Sequence, residues 1–279
     1  MPDRKVAFVT GASRGIGRAC ARELARRDFD LVLTARTVSG AERLEHSSTV
    51  RRSATNPLPG TLEETAADVA ALGATALIAK LDLAEPADPP AAVEAAVARF
   101  GRIDVLVNNG RYVGPGHMDP FEDTPLELIE RMFDCNVFAP LRLIKLCLPL
   151  WKRQRGGIVI NITSSAGQTE TPAAIGQGGW GLGYSITKAA FGRMIPGLAK
   201  ELRPYKVAVI GLMPGFVATE RMAAELAEFG FDASKGLPTD NPGRVCAMLA
   251  TADDPMLFSG HDVYGPRFYA EHAGTRFAP

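Results

Sequence analysis

Cysteine is scarce in this 279-residue chain: four residues, Cys20, Cys135, Cys147 and Cys246, lie far apart. They show neither the short paired spacing of metal sites nor the density of a disulfide scaffold. They read as buried thiols, and no metal centre is expected. An excess of charge of one sign is also missing, since 31 lysines and arginines balance 31 aspartates and glutamates. Nothing therefore suggests a nucleic-acid partner or an acidic disordered tail, and a small molecule is the expected partner. No run is apolar for long enough to cross a bilayer, and the opening Met1-Pro2-Asp3-Arg4-Lys5 leads into no stretch of signal-peptide length. A cytoplasmic protein with no membrane partner is expected. No internal repeat is evident.

What the chain does have is a 46% apolar composition, enough for a substantial core, and an alternation of short β-branched runs with amphipathic stretches. Repeated β-α units of this kind build a parallel sheet covered on both faces. The expected fold is therefore α/β: a single, doubly wound Rossmann-type domain over 1–279 with a parallel, seven-stranded sheet. Its cofactor half covers about 1–150, and its catalytic and substrate half about 151–279. The runs at 5–10, 30–35, 75–81, 103–107, 158–162 and 207–212 read as strands, with a short seventh at 262–264. Helices are expected at 15–27, 62–72, 91–100, 126–154, 184–202 and 242–250. Thr61 and Glu64 have capping-box spacing, and Gly73 and Gly101 stand where helices end. Segments 37–60 and 168–183 interrupt the rhythm, and loops this long in a compact domain are functional or disordered.

The first strand runs directly into Thr10-Gly11-Ala12-Ser13-Arg14-Gly15-Ile16-Gly17 and then a helix. In that context backbone N–H groups and a helix N-terminus approach a pyrophosphate. Gly11 permits the tight turn, Gly15 the approach of phosphate, and Gly17 close contact between helix and strand. Ser13, Arg14 and Ile16 complete the turn. About twenty residues further on, where an acidic side chain would take the ribose 2′-hydroxyl of NAD, the chain reads Thr34-Ala35-Arg36. Arg36, with Arg14 inside the turn, suits a 2′-phosphate instead, so NADP(H) is favoured over NAD(H) as cofactor.

Tyr184 and Lys188 are four apart on a predicted helix, hence on one face, and a neighbouring ammonium stabilises a phenolate that donates or accepts a proton. Together with Thr10–Gly17, Asp82-Leu83, Asn108-Asn109-Gly110, Asn136, Ser164 and Pro214-Gly215-Phe216-Val217-Ala218-Thr219, this pair resembles the short-chain dehydrogenase/reductase family. The likeness spans about 5–220 in the right order. It implies an NAD(P)-dependent oxidoreductase of the tyrosine-lysine branch, acting on a carbonyl or alcohol and assembling as a homodimer or homotetramer. The resemblance also implies the roles of single residues. Tyr184 is the general acid/base. Lys188 also holds the nicotinamide ribose, Ser164 binds the substrate oxygen, and Asn136 fixes a water in a relay to Lys188. Asp82, Leu83, Asn108 and Gly110 lie along the adenosine side, and Pro214, Gly215, Val217 and Thr219 line the nicotinamide pocket.

The chain departs from the family pattern in two places. Asn108-Asn109-Gly110-Arg111 stands where the family has Asn-Asn-Ala-Gly, and a backbone that needed φ > 0 there would strain Arg111. Twenty positions separate Ser164 from Tyr184, more than is common, with the excess in a glycine-rich stretch around Trp180. Trp180 reads equally as an apolar wall over the cleft or as a structural or subunit anchor. Ser164 is preferred to Ser165 because it stands three before Gly167, as the family's serine does. His117 could face substrate, but a surface position is favoured. Two other functions stay open: an NAD-dependent alcohol dehydrogenase, and a nucleotide sensor that turns nothing over.

Overall fold

Valine, isoleucine and leucine fill strands with few polar interruptions because helices cover both faces of the sheet. Strand β1 (Lys5–Thr10) is buried from its second residue onward, and β6 (Val207–Met213) is buried over all but its last. The computed structural model describes residues 4–225 and 227–273. Residues 1–3, 226 and 274–279, which the expected 1–279 domain includes, lie outside the described residues.

The remaining strands are β2 (Phe29–Ala35), β3 (Ala76–Lys80), β4 (Val105–Asn108), β5 (Gly157–Ile162) and β7 (Asp262–Tyr264). All pair in parallel, in the order β3-β2-β1-β4-β5-β6-β7, which is the expected seven-stranded, doubly wound sheet. The order reverses between β1 and β4, and a crevice opens at that switch point, outside the carboxyl ends of the strands.

The helices are α1 (Gly15–Ala25), α2 (Leu62–Ala71), α3 (Asp88–Phe100), α4 (Leu126–Phe133), α5 (Ala139–Gln154), α6 (Leu182–Leu202), α7 (Glu220–Glu225), α8 (Asp240–Ala250) and α9 (Gly265–His272). One apolar core joins the sheet to α1, α2 and α8, and a second joins its other face to α3, α5 and α6. The four cysteines are free and buried, as expected. Thr61 caps α2 by accepting from the Glu64 N–H at 3.0 Å. The Glu64 carboxylate turns instead to Arg18, at 3.0 Å. Gly101 ends α3 in the left-handed region at φ +72°, and Gly73 follows α2 at φ +78°.

Most element bounds differ from the expected ones by a few residues, and two regions differ in kind. The stretch expected as one helix over 126–154 is interrupted by a π-helical turn at Asp134–Phe138, which swings Asn136 inward. Short helices α7 and α9, unmarked in the sequence, pack in the carboxyl-terminal third. The 37–60 segment has no regular secondary structure, yet His46, Ser47, Ser48 and Thr49 are buried. It is tied down by the Met118 N–H donating to the Ser48 carbonyl at 2.8 Å and the Val50 N–H donating to the Asp119 carboxylate at 2.9 Å.

Candidate active site

The loops after β1 and β4 are laced together at the crevice floor. The Thr10 hydroxyl donates to the Val107 carbonyl (3.2 Å) and accepts from the N–H groups of Asn109 (3.0 Å) and Gly110 (2.9 Å). Asn109 returns its amide to the Thr10 and Gly11 carbonyls at 2.9 and 3.1 Å. Gly11 and Gly15 adopt φ +65° and +56°, which a side chain would strain. A Cβ on Gly17 would stand 2.2 Å from the Gly11 carbonyl oxygen, so α1 presses against the turn as only glycine allows. Helix α1 begins with no side-chain cap, and its first N–H groups are left for an anion.

A cleft of about 430 Å³ opens over this turn. Gly11, Ser13, Arg14, Gly15 and Ile16 line it on one side, and Arg36, Asp82, Leu83, Gly110 and Thr219 elsewhere. The 37–60 segment adds Glu42, His46 and Leu58 to its wall. Arg14 departs from its expected role, because its guanidinium donates to the carbonyls of Pro59 (2.8 Å), Gly60 (2.7 Å) and Leu58 (3.3 Å) and so fastens the inserted segment to the turn. Arg36 donates once, to the Val113 carbonyl at 3.3 Å. The Glu42 carboxylate accepts from the Val38 and Ser39 N–H groups, contacts that hold it below the usual carboxylate range.

Asn108 does not line the cleft: it is buried, with its amide donating to the Asn161 side-chain oxygen at 2.9 Å across the β4–β5 pair. Gly17 likewise acts through packing. Pro214, Gly215 and Val217 lie off the cleft wall, on the turn that follows β6, where Gly215 takes φ +76°.

Tyr184 and Lys188 sit one turn apart on α6, both buried. The Lys188 ammonium donates to the Ile162 carbonyl at the end of β5 (2.7 Å) and lies 6.0 Å from the Tyr184 ring centroid. Burial, reinforced by the Arg111 charge and opposed by Asp262, lowers the Lys188 pKa to about 7. Ser164 begins the turn after β5, accepting from the Ala166 N–H at 3.2 Å. Gly167, three residues on, would place a Cβ 2.4 Å from the α6 backbone, which accounts for glycine there. Asn136 accepts from the Tyr112 N–H (2.7 Å) and donates to the Thr187 hydroxyl (2.9 Å), tying the post-β4 loop to α6.

Three further side chains close around Tyr184. Trp180 lies 5.1 Å from its ring and 4.4 Å from Phe231, His117 lies 4.8 Å away edge-on, and the Arg111 guanidinium stands 5.4 Å over it. The preference for a surface His117 is thus corrected: it is 1% exposed, and burial with the charges of Arg111, Arg221 and Lys188 keeps its pKa well below the ordinary value. No pattern in the sequence marks it, because it belongs to an irregular loop. Arg111 is not strained, since it is absent from the residues with positive φ, and Gly110 also keeps negative φ.

The sheet order and the glycine turn define a Rossmann-type nucleotide-binding fold. The short chain dehydrogenase family model matches residues 5–55 and 51–229. The chain belongs to the short-chain dehydrogenase/reductase family of oxidoreductases. It is 32% identical to an uncharacterised oxidoreductase of Methylorubrum extorquens over 89% of this chain and 91% of that protein. It is also 32% identical to human dehydrogenase/reductase SDR family member 7 over 80% of this chain, spanning 58% of that protein's length. Among solved structures, acetoin dehydrogenase from Enterobacter cloacae superposes with a TM-score of 0.71 at 28% identity, covering 96% of this chain and 97% of that one. A metagenomic short-chain oxidoreductase in complex with NADP superposes at 0.69 and 28% identity, covering 93% and 95%. Among the described residues no helix is long and apolar enough to cross a membrane, and no cluster of metal-ligating side chains occurs.

Proposed function

We propose that this protein reduces a carbonyl group, or oxidises the matching secondary alcohol, with NADP(H) as its nucleotide and Tyr184 as proton donor or acceptor. The observation that carries the proposal is the buried Tyr184–Lys188 pair at the carboxyl end of β5; neither residue lines the cleft over the glycine turn, but Arg111, which does, stands over the Tyr184 ring. The residues present fit a dinucleotide. Gly11 and Gly15 make a cradle that a Cβ would strain, and the uncapped N-terminus of α1 suits its phosphates. Asp82 and Leu83 lie where the adenosine would rest. When bound, the nicotinamide supplies or takes the hydride.

The chain's own residues hold the substrate oxygen and manage its proton. Ser164 and the Tyr184 hydroxyl would hold that oxygen, as the family resemblance implies, and Lys188 and Arg111 lie beside the phenol ring, where positive charge would stabilise it as its proton leaves. Asn136 positions α6 through Thr187. Trp180 and His117 exclude water from the Tyr184 ring. The likeness to acetoin dehydrogenases supports a small carbonyl substrate.

The absence of a carboxylate at Ala35-Arg36-Thr37 and the capture of the Glu42 carboxylate by its own loop support NADP(H). The diversion of Arg14 to the loop carbonyls favours NAD(H) as a second reading. Titration with both nucleotides decides between them: NADPH is expected to bind more tightly, and tighter NADH binding selects the second. For the chemistry, Tyr184→Phe is expected to lower kcat by about a hundredfold or more while nucleotide affinity holds. Near-normal kcat in that variant overturns the assignment.

A further inference from the structure

Arg111 stands beside the Tyr184–Lys188 pair, and charge beside the phenol does not use the hydrogen-bonding fork of its guanidinium. Its backbone carries no strain that would explain it as a tolerated accident. Its Nη1 donates to the Tyr112 carbonyl at 2.8 Å, and its guanidinium carbon stands 5.4 Å over the Tyr184 ring. Among the described residues no carboxylate lies within ion-pairing distance of it, and the basic groups near it, Lys188 and His117, are both held toward their neutral forms. A desolvated guanidinium with no counter-charge is costly unless a bound anion pairs with it. A second polar group in the same cage is also left over, for the buried Nε2 of His117 has no hydrogen-bond partner.

The anion that completes such a cage comes from the nucleotide or from the substrate. The phosphates have their own seat at the glycine turn and the start of α1, whereas the Arg111 guanidinium lies across the ring of the proposed proton donor. We propose that the substrate is a short oxo acid, carrying a carboxylate close to its reacting carbonyl, and that Arg111 is the residue that selects it, with His117 Nε2 as a further contact. This inference rests on the oxidoreductase activity proposed above. The planar fork of the guanidinium matches a carboxylate by two parallel hydrogen bonds. Trp180, packed against His117 and Tyr184, lowers the water content around that pair and so strengthens it.

The test compares pyruvate, acetoacetate and 4-oxopentanoate with their primary amides, alongside neutral ketones and aldehydes, by following NADPH and NADH consumption. For at least one pair, kcat/KM for the acid is expected to exceed that for the amide by about tenfold or more, the effect of one charge-assisted pair. Arg111→Met is expected to erase that ratio, mainly through KM, and Arg111→Lys to retain part of it. NADPH affinity, read by fluorescence titration, is expected to change much less than KM for the acid. Amides preferred to acids by the wild type, an unchanged ratio in Arg111→Met, or a loss of NADPH affinity as large as the loss for the acid overturns the inference and leaves the oxidoreductase reading intact. If Arg111→Met fails to fold, the wild-type ratio and the Lys variant decide on the same terms. Consumption of neither nucleotide with any carbonyl overturns the oxidoreductase reading, and this inference with it.

Discussion

Replacement of Lys188 by methionine is expected to stabilise the fold that it disables as an enzyme. A lysine held at about 7 against an ordinary 10.5 carries a charge that the interior disfavours. At 1.36 kcal/mol per tenfold change in proton affinity, that is about 4–5 kcal/mol wherever both states hold the proton, at pH 7 and below. Between pH 7 and 10.5 the unfolded chain keeps the proton and the folded one releases it, so stability climbs with pH and the penalty fades. Methionine removes the charge and keeps an unbranched stem. It also leaves the Ile162 carbonyl without its 2.7 Å donor, a loss of about 1–2 kcal/mol. The net gain is about 2–4 kcal/mol, which for a chain of this size is a rise in Tm on the order of 5 °C. The assay is thermal melting of both proteins, free of nucleotide, at pH 6.5, 8 and 9.5. The variant should melt highest above wild type at pH 6.5, with the gap narrowing as pH rises. A variant that melts below wild type at pH 6.5, or a gap that does not narrow, refutes the account of Lys188 as an unfavourably buried cation.

Ala35→Asp places a carboxylate on the cleft wall beside Arg36, and nucleotide preference is expected to move toward NADH by about tenfold or more, read as the ratio of the two dissociation constants. An unchanged ratio places the 2′ position elsewhere. Trp180→Ala removes the ring that stacks between Tyr184 and Phe231, and kcat/KM is expected to fall several-fold at unchanged NADPH affinity. A fall in Tm with unchanged kinetics makes Trp180 an anchor instead of a wall.

The parts of the site that sequence reveals are those fixed by short-range physics. Gly11, Gly15 and Gly17 announce a turn because no other residue fits it, and Tyr184 and Lys188 share a face because a helix repeats every 3.6 residues. The sheet is legible for the same reason, its strands being continuous apolar runs between helical patterns. What stays illegible depends on tertiary contact. Nothing near Arg14 says that its guanidinium goes to carbonyls some 45 residues away, since that depends on where the inserted segment lands. Asn108 ends a strand as expected, but its side chain turns to Asn161 on β5 and away from the cleft. The π-helical turn at Asn136 leaves no mark in a pattern that fits an unbroken helix equally well.

The two insertions, unrelated in sequence, meet on one segment, and that meeting bears on how the cleft opens. The Ser48 carbonyl of the first insertion accepts from the Met118 N–H, and Gly181 at the end of the second packs so closely that a Cβ there would stand 2.3 Å from the His117 carbonyl oxygen. The stretch from Arg111 to Asp119 is thus gripped from both sides, and it is the stretch that carries Arg111 and His117 to the Tyr184 ring. Displacing either insertion strips its contacts from the segment that holds the side chains over the Tyr184 ring. The outer ties at Arg51–Asp123 and Arg52–Glu228 are exposed ion pairs, worth little each, so they do not oppose opening strongly. The buried hydrogen bonds from Thr49 and Val50 to Asp119 lie where separation leaves polar groups unpaired, and they set the resistance of the first insertion. The second is held at its start by Gln168 and Thr169, whose N–H groups donate to the Ser165 carbonyl, and by the Gln168 side-chain amide, which donates to the Asp262 carboxylate. Around Trp180 it has the tilted ring contacts with Phe231 and Tyr184 and the Gly178 N–H donating to the Phe229 carbonyl at 3.1 Å. Apolar ring contacts on a glycine-rich loop yield more readily than a buried carboxylate network, so the stretch around Trp180 is expected to open before the first insertion, which hydrogen exchange at Gly178 against Val50 would read.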